Sequence, residues 1–116
     1  MLEKILVRFM YLLSIFSAST LFACPMATPP TTAEFCSSFK VAAQCHCSTS
    51  GLPVRMCQDM NIIYERMLAV FRDVKKACEF QHETTAQNCI DSWHCYRNGG
   101  VTSNNEPCNG TGAACA

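Results

Sequence analysis

Cysteine is the residue type with the widest range of chemistry in this chain of 116 residues, which contains ten of them. A thiol can bind zinc, exchange with a disulfide, act as a nucleophile or form a structural cross-link. Two motifs place cysteine beside histidine, Cys45-His46-Cys47 and His94-Cys95. The spacing of these residues, and the compartment in which the chain folds, decide among the possible roles.

Zinc is the first possibility, and residue types that bind it are present. They are Cys45, His46, Cys47, Cys57, His82, His94 and Cys95. The sequence has no pair of C-x-x-C knuckles, and an oxidising compartment consumes the thiolates that zinc requires. A redox role for Cys45 and Cys47 is also disfavoured, because a thiol-exchange site usually has a C-x-x-C motif within a βαβ pattern. We therefore expect no metal or other cofactor, and structural bridges instead.

Residues 89–96, Cys-Ile-Asp-Ser-Trp-His-Cys-Tyr, are similar to the helix of secreted phospholipases A2, which combines His, Asp and Cys-Tyr among disulfides. That resemblance would imply a catalytic pair of His94 and Asp91. In the family, however, Asp directly follows the catalytic His, whereas Cys95 follows His94 here, and a glycine-rich calcium loop is missing. The sequence also lacks a G-x-S-x-G elbow and a phosphate-binding glycine loop. We predict a protein without enzymatic activity.

Residues 1–23 have the pattern of a signal peptide. Lys4 and Arg8 precede an apolar run over residues 9–16, and small residues follow at 17–20. An uncleaved membrane anchor is a weaker interpretation, because a span needs about 20 consecutive apolar residues. The leader predicts export, and export places the cysteines where disulfides form.

The leader ends at Leu21-Phe22-Ala23-Cys24, which resembles the lipobox of bacterial lipoproteins. The resemblance implies that Cys24 is lipidated, becomes the new N-terminus and anchors the protein at the bacterial outer membrane or in the periplasm. Phe22 is bulkier than usual and Pro25 is not typical. The alternative is cleavage after Ser19, which leaves Cys24 free to form a disulfide in an extracellular, secreted protein.

The mature chain is long enough for one small domain. Residues 24–31 form a proline-rich tether, residues 32–100 a helical domain and residues 101–116 a flexible tail that contains cysteine. Thr31 with Glu34 and Thr84 with Gln87 fit capping boxes. We expect helices over residues 32–47 (or 32–45), 53–78 and 85–97, the last ended by Asn98-Gly99-Gly100. The fold class predicted is all-α: a small disulfide-rich three-helix bundle with an irregular C-terminal tail.

The second predicted helix carries the clearest pattern. Cys57, Tyr64, Phe71 and Cys78 recur every seven residues, with Met60, Met67 and Val74 between them. This spacing indicates one apolar seam along a single helix, packed against the core of the bundle.

Nine cysteines are predicted to form disulfides: Cys36, Cys45, Cys47, Cys57, Cys78, Cys89, Cys95, Cys108 and Cys115. Antiparallel helices favour Cys78 with Cys89, and Cys47 (or Cys45) with Cys57. Cys36 with Cys95 and Cys108 with Cys115 are the further expected pairs. Lipidation of Cys24 would leave one odd thiol, most simply Cys45, whereas an unlipidated Cys24 allows five bridges.

The formal charge of the chain beyond the leader bears on which partners it can bind. Beyond the leader, seven Lys and Arg stand against eight Asp and Glu, a formal charge of −1, so no nucleic-acid partner is expected. Asn109-Gly110-Thr111 fits the N-glycosylation rule.

The leading hypothesis is a lipid-anchored structural or binding subunit of the bacterial cell envelope, with protein partners in an envelope complex such as a secretion assembly. The alternative is a freely secreted effector, toxin or inhibitor that acts through its loops, residues 101–116 above all.

Overall fold

The computed structural model describes residues 23–115, which are mainly helical. The helices are α1 (Phe35–Thr49), α2 (Val54–Gln58), α3 (Met60–Phe71), α4 (Val74–Phe80) and α5 (Ala86–Arg97), and a 3₁₀ turn follows at Cys108–Gly110. In this part of the chain the only β pairing is one isolated bridge between Val101 and Pro107. The predicted all-α, disulfide-rich fold is confirmed. The predicted signal peptide, Ala23 excepted, lies outside the described residues.

The second predicted helix is not one helix but three. Asp59 adopts an extended backbone, and its carboxylate accepts a hydrogen bond from the Asn61 N–H, which starts α3. Arg72 has a φ of 75°, and the next residue, Asp73, caps α4 by accepting from the Lys76 N–H at 2.7 Å. Asp competes for backbone donors and favours caps over helix interiors. The bundle therefore has three arms, α1, the bent segment α2–α4, and α5.

The ends of the outer helices agree with the prediction to within a few residues. The predicted Thr31–Glu34 capping box is wrong: α1 begins at Phe35, and Glu34 makes no capping bond with its side chain. At α5 the cap is Thr85, whose hydroxyl accepts from the Asn88 N–H at 3.2 Å, rather than Thr84 with Gln87. α5 ends at Arg97, immediately before the predicted stop.

An aromatic cluster joins the three arms. Phe39 of α1 contacts Trp93 of α5 edge to face, with ring centroids 4.9 Å apart, and lies 5.4 Å from Tyr96. Tyr64 of α3 lies 5.4 Å from Trp93, and the Arg97 guanidinium covers the outer face of the Tyr64 ring at 3.7 Å. Such aromatic pairs add about 0.5–1.5 kcal/mol each beyond the burial of apolar area. The cluster fixes α5 between the other two arms.

The two segments outside the bundle are held against it. The Thr28 N–H donates to the Ser38 hydroxyl at 3.0 Å, so residues 24–31 lie along α1 and are not a free tether. The Asn109 N–H donates to the Pro30 carbonyl at 2.8 Å, and the Cys115 N–H donates to the Tyr96 carbonyl at 3.0 Å. The tail, predicted to be flexible, is hydrogen-bonded to the rest of the domain as far as residue 115.

All ten cysteines are paired in five disulfides. The pairs are Cys24–Cys45, Cys36–Cys115, Cys47–Cys57, Cys78–Cys89 and Cys95–Cys108. The two hairpin pairs predicted from antiparallel packing, Cys47–Cys57 and Cys78–Cys89, are confirmed. The predicted pairs Cys36–Cys95 and Cys108–Cys115 are wrong, because the tail folds back between α1 and α5 and supplies a partner to each.

Candidate functional site

The disulfides remove the thiol chemistry that the sequence offered. No cysteine is free. Cys45 and Cys47 bond to separate partners, Cys24 and Cys57, and so cannot act together as a redox pair. Within residues 23–115 no group of three His, Cys, Asp or Glu side chains is arranged to hold a metal ion. The cysteines hold the fold together.

In the structure, Asp91 of the phospholipase-like segment is hydrogen-bonded to Ser103, and His94 of the same segment is exposed. The Asp91 carboxylate accepts hydrogen bonds from the Ser103 N–H at 3.2 Å and the Ser103 hydroxyl at 2.8 Å. Gln87 also donates to it, at 3.3 Å. Asp91 therefore fixes the chain that follows α5, and His94 is an exposed side chain on the same helix.

In this structure Cys24 forms a disulfide, whereas the lipobox resemblance implies that it carries a lipid. Its sulfur is bonded to Cys45, and the two Cα atoms are 5.6 Å apart. A sulfur in a disulfide cannot also carry a lipid thioether, so the bridged and the lipidated states exclude each other. The pairing also gives a partner to Cys45, the residue expected to be odd in a lipidated protein.

A groove between α1, α2, α3 and α5 is the larger of the two best-formed cavities in the described part of the chain, at about 480 Å³. It is lined by Lys40, Arg55, Gln58, Asp59, Met60, Asn61, Ile62 and Tyr96. Met60 and Tyr96 are both buried and form the floor. The remaining residues form a rim of two cations, two amides, one carboxylate and one exposed isoleucine.

A covalent and a polar link join α1 to α2, two of the helices that line the groove. The Cys47–Cys57 disulfide joins α1 to α2, two residues from Arg55. The Gln44 amide donates to the Gln58 carbonyl at 3.0 Å, a second link between these helices. The Tyr96 ring is packed against Phe39 beneath the floor. A site held by such links keeps its shape, which lowers the entropy lost on binding.

The charge of the groove favours an anionic ligand. Lys40 on α1 and Arg55 on α2 supply two exposed cations, while Asp59 is the only carboxylate in the lining. That carboxylate already accepts the Asn61 N–H at 2.9 Å. Gln58 and Asn61 add amide donors, and Ile62 adds apolar surface. Burial raises the pKa of the Tyr96 hydroxyl, so this group stays neutral to higher pH than an exposed tyrosine.

Sequence reasoning did not identify this groove. Its rim comes from three helices, and Lys40 and Arg55 are separated by the first turn of the chain. The one signal in the sequence was Asp59 between Arg55 and Asn61, because Asp favours helix caps over helix interiors. Residues 101–116, predicted from sequence as a contact region, are tethered to α1 and α5 by disulfides as far as Cys115, and most of residues 101–115 are exposed.

No protein family, curated protein or solved structure matches this chain. Among residues 23–115, no helix combines the length and apolar character needed to cross a bilayer.

Proposed function

We propose that this chain is an exported, disulfide-stabilised binding protein without enzymatic activity, and that it binds an acidic segment of a partner protein in the groove. The observation that supports this most directly is that Lys40 and Arg55 line the same groove as the buried Met60 and Tyr96. Carboxylates of a partner would face the cations, and apolar side chains would cover the floor and Ile62. Charge complementarity of this kind gives specificity and raises the association rate.

The released form of the protein is favoured over the lipid-anchored form. The Cys24–Cys45 disulfide uses the sulfur that an anchor needs, and it completes a set in which no thiol is left over. The lipid-anchored subunit of a bacterial envelope complex, at the outer membrane or in the periplasm, is the second candidate. It is favoured by the lipobox-like residues 21–24 and by nothing beyond them.

Binding in the groove can be tested with a fluorescein-labelled peptide composed of glutamate and leucine, measured by fluorescence polarisation. Lys40→Gln and Arg55→Gln should each weaken binding about fivefold, and the double variant more, since each removes one cation that faces the peptide. Lys75→Gln, which removes an exposed cation on α4, is the matched control and should bind like the unaltered protein. A peptide with lysine in place of glutamate should not bind.

Equal binding by the double variant and the unaltered protein would overturn the groove as the site.

Whether the protein is released or lipid-anchored is tested by a separate measurement, the intact mass of the mature N-terminal peptide from the natural host. A peptide that contains Cys24 disulfide-linked to Cys45 supports the released form. An N-terminal Cys24 that carries acyl chains, with partition of the protein into detergent, would establish the envelope lipoprotein instead.

A further inference from the structure

The turn between α3 and α4 exposes an aromatic surface that the groove does not use. Phe80 is 69% exposed and Val70 is 62% exposed. The Phe80 ring packs on Phe71, with centroids 5.0 Å apart at an interplanar angle of 41°. We call Val70, Phe71 and Phe80 the elbow patch. Phe71 is half-buried, so Phe80 and Val70 are the exposed members of this surface. A group of neighbouring apolar side chains at the surface is more informative than a single one and indicates a contact surface.

The fold prevents Phe80 from turning inward. Ala77 and Cys78 occupy the buried face of α4, and the Cys78–Cys89 disulfide fixes that face against α5. Phe80 lies two residues beyond Cys78, which is 200° around a helix at 100° per residue, on the opposite side. The Phe80 side chain therefore projects from the molecule, with its ring packed on Phe71.

Cations lie beside each apolar member of the patch. Lys76 precedes Phe80 by four residues on α4, and Arg66 precedes Val70 by four residues on α3. Residues at this spacing share one helix face. Both side chains are exposed.

The cations in this region outnumber the carboxylates by one. Asp73 is engaged in capping the Lys76 N–H. Glu79 lies one turn after Lys75, and Glu65 lies on α3 beside Arg66. From residue 65 to residue 80 there are four cations and three carboxylates, a formal charge of +1.

We propose that the elbow patch binds the surface of an anionic bilayer, with Phe80 and Val70 inserted among the lipids and with Lys76 and Arg66 at the level of the headgroup phosphates. Interfacial segments combine aromatic and aliphatic side chains with flanking cations in this way. A protein partner fits less well, because the patch consists of projecting side chains and lines neither of the two best-formed cavities. The proposal does not depend on the groove or on lipidation.

The test is co-sedimentation of the mature protein with vesicles of phosphatidylcholine alone and of phosphatidylcholine mixed with phosphatidylglycerol. We expect binding to the mixed vesicles that falls as salt is added, because Debye screening weakens the attraction of the cations. Phe80→Ser should weaken binding about tenfold, and Lys76→Gln about fivefold. All of these side chains are exposed, so circular dichroism should show unchanged folding.

Val41→Ser is the matched control, since Val41 is an exposed valine on α1 outside the patch. It should bind like the unaltered protein. Equal sedimentation of Phe80→Ser and the unaltered protein would overturn the proposal, as would the absence of binding to the mixed vesicles. A concentration-dependent dimer that Phe80→Ser abolishes, without vesicle binding, would likewise overturn it and assign the patch to a second copy of the chain.

Discussion

Cys24 and Cys45 are joined by a disulfide with Cα atoms 5.6 Å apart, which ties the start of the described chain to α1 near its C-terminal end. Together with the hydrogen bond from the Thr28 N–H to Ser38, this bond turns a proline-rich segment into an ordered strap along α1. The strap in turn supplies the Pro30 carbonyl that receives the Asn109 N–H of the tail. This cross-link thus holds the strap, and the strap supplies one of the bonds that hold the tail, beside the Cys36–Cys115 and Cys95–Cys108 disulfides.

Removing this cross-link should destabilise the domain without unfolding it. The Cys24→Ser/Cys45→Ser double variant loses a bridge between residues 21 positions apart, worth about 3 kcal/mol on chain-entropy grounds. Chemical denaturation should measure that loss. The single variant Cys24→Ser should show the same loss and one free thiol by alkylation and mass spectrometry. Unchanged stability in the double variant would show that the strap is not held through this bond.

The Cys36–Cys115 disulfide should contribute more to stability than any other. It joins residues 79 positions apart, whereas the Cys47–Cys57 bridge spans ten. Because the entropy of the unfolded chain falls more when a longer loop is closed, we expect about 4.5 kcal/mol from the first and about 3 kcal/mol from the second. Comparing the two Cys→Ser double variants by denaturation checks the order. The reverse order would contradict it.

The sequence predicted the elements that depend on local patterns. α5 and its end at Arg97 followed from periodicity and from Gly99, and the two hairpin disulfides followed from antiparallel geometry. The breaks at Asp59 and Arg72 do not interrupt the seven-residue repeat of apolar residues. The repeat therefore predicts one helix where the chain forms three. An Asp at such a position can cap a new helix as readily as it can face solvent.

Long-range features could not be derived in the same way. The pairing of Cys36 with Cys115 depends on where the tail folds, and a segment rich in Gly, Asn and Thr carries no periodicity from which to place it. The groove depends on how α1 and α2 pack, and the Cys47–Cys57 bridge joins these two helices. Lys40 and Arg55 therefore line the same groove because of the way the helices pack, which no pattern in the sequence shows.

Gly99 should be essential for docking of the tail. Its φ is 70°, and a Cβ atom at this position would lie 2.6 Å from the Ala114 nitrogen and 2.7 Å from the Gly112 carbonyl oxygen. Backbone atoms cannot yield as a flexible side chain can, so Gly99→Ala should displace residues 112–115 and cost more than 1 kcal/mol. Gly51→Ala is the control: it shares a positive φ but has open space around it. Hydrogen exchange of the Cys115 amide should rise in Gly99→Ala only.

Asn109 should have a structural role although its sequence fits a glycosylation site. The residue is only 8% exposed, and its side-chain amide donates to the Ala113 carbonyl at 2.7 Å. Its φ of 57° lies in the left-handed region that asparagine tolerates. Asn109→Gly keeps this backbone and loses the amide bond, which should cost about 1 kcal/mol. We expect the native protein to carry no glycan at Asn109, and mass spectrometry showing one would contradict the packing of the tail.

The Tyr96 hydroxyl should make stability depend on pH in alkali. Burial raises its pKa in the folded state above the ordinary value, because desolvation penalises the tyrosinate. Above the unfolded pKa of about 10, the unfolded chain has fewer protons bound, so stability falls as pH rises through the folded pKa. Tyr96→Phe should lose this part of the pH dependence in denaturation curves. Its aromatic packing against Phe39 remains, so a change in stability at neutral pH would reflect the hydroxyl alone. If the alkaline loss is the same in Tyr96→Phe, then another group is responsible for it.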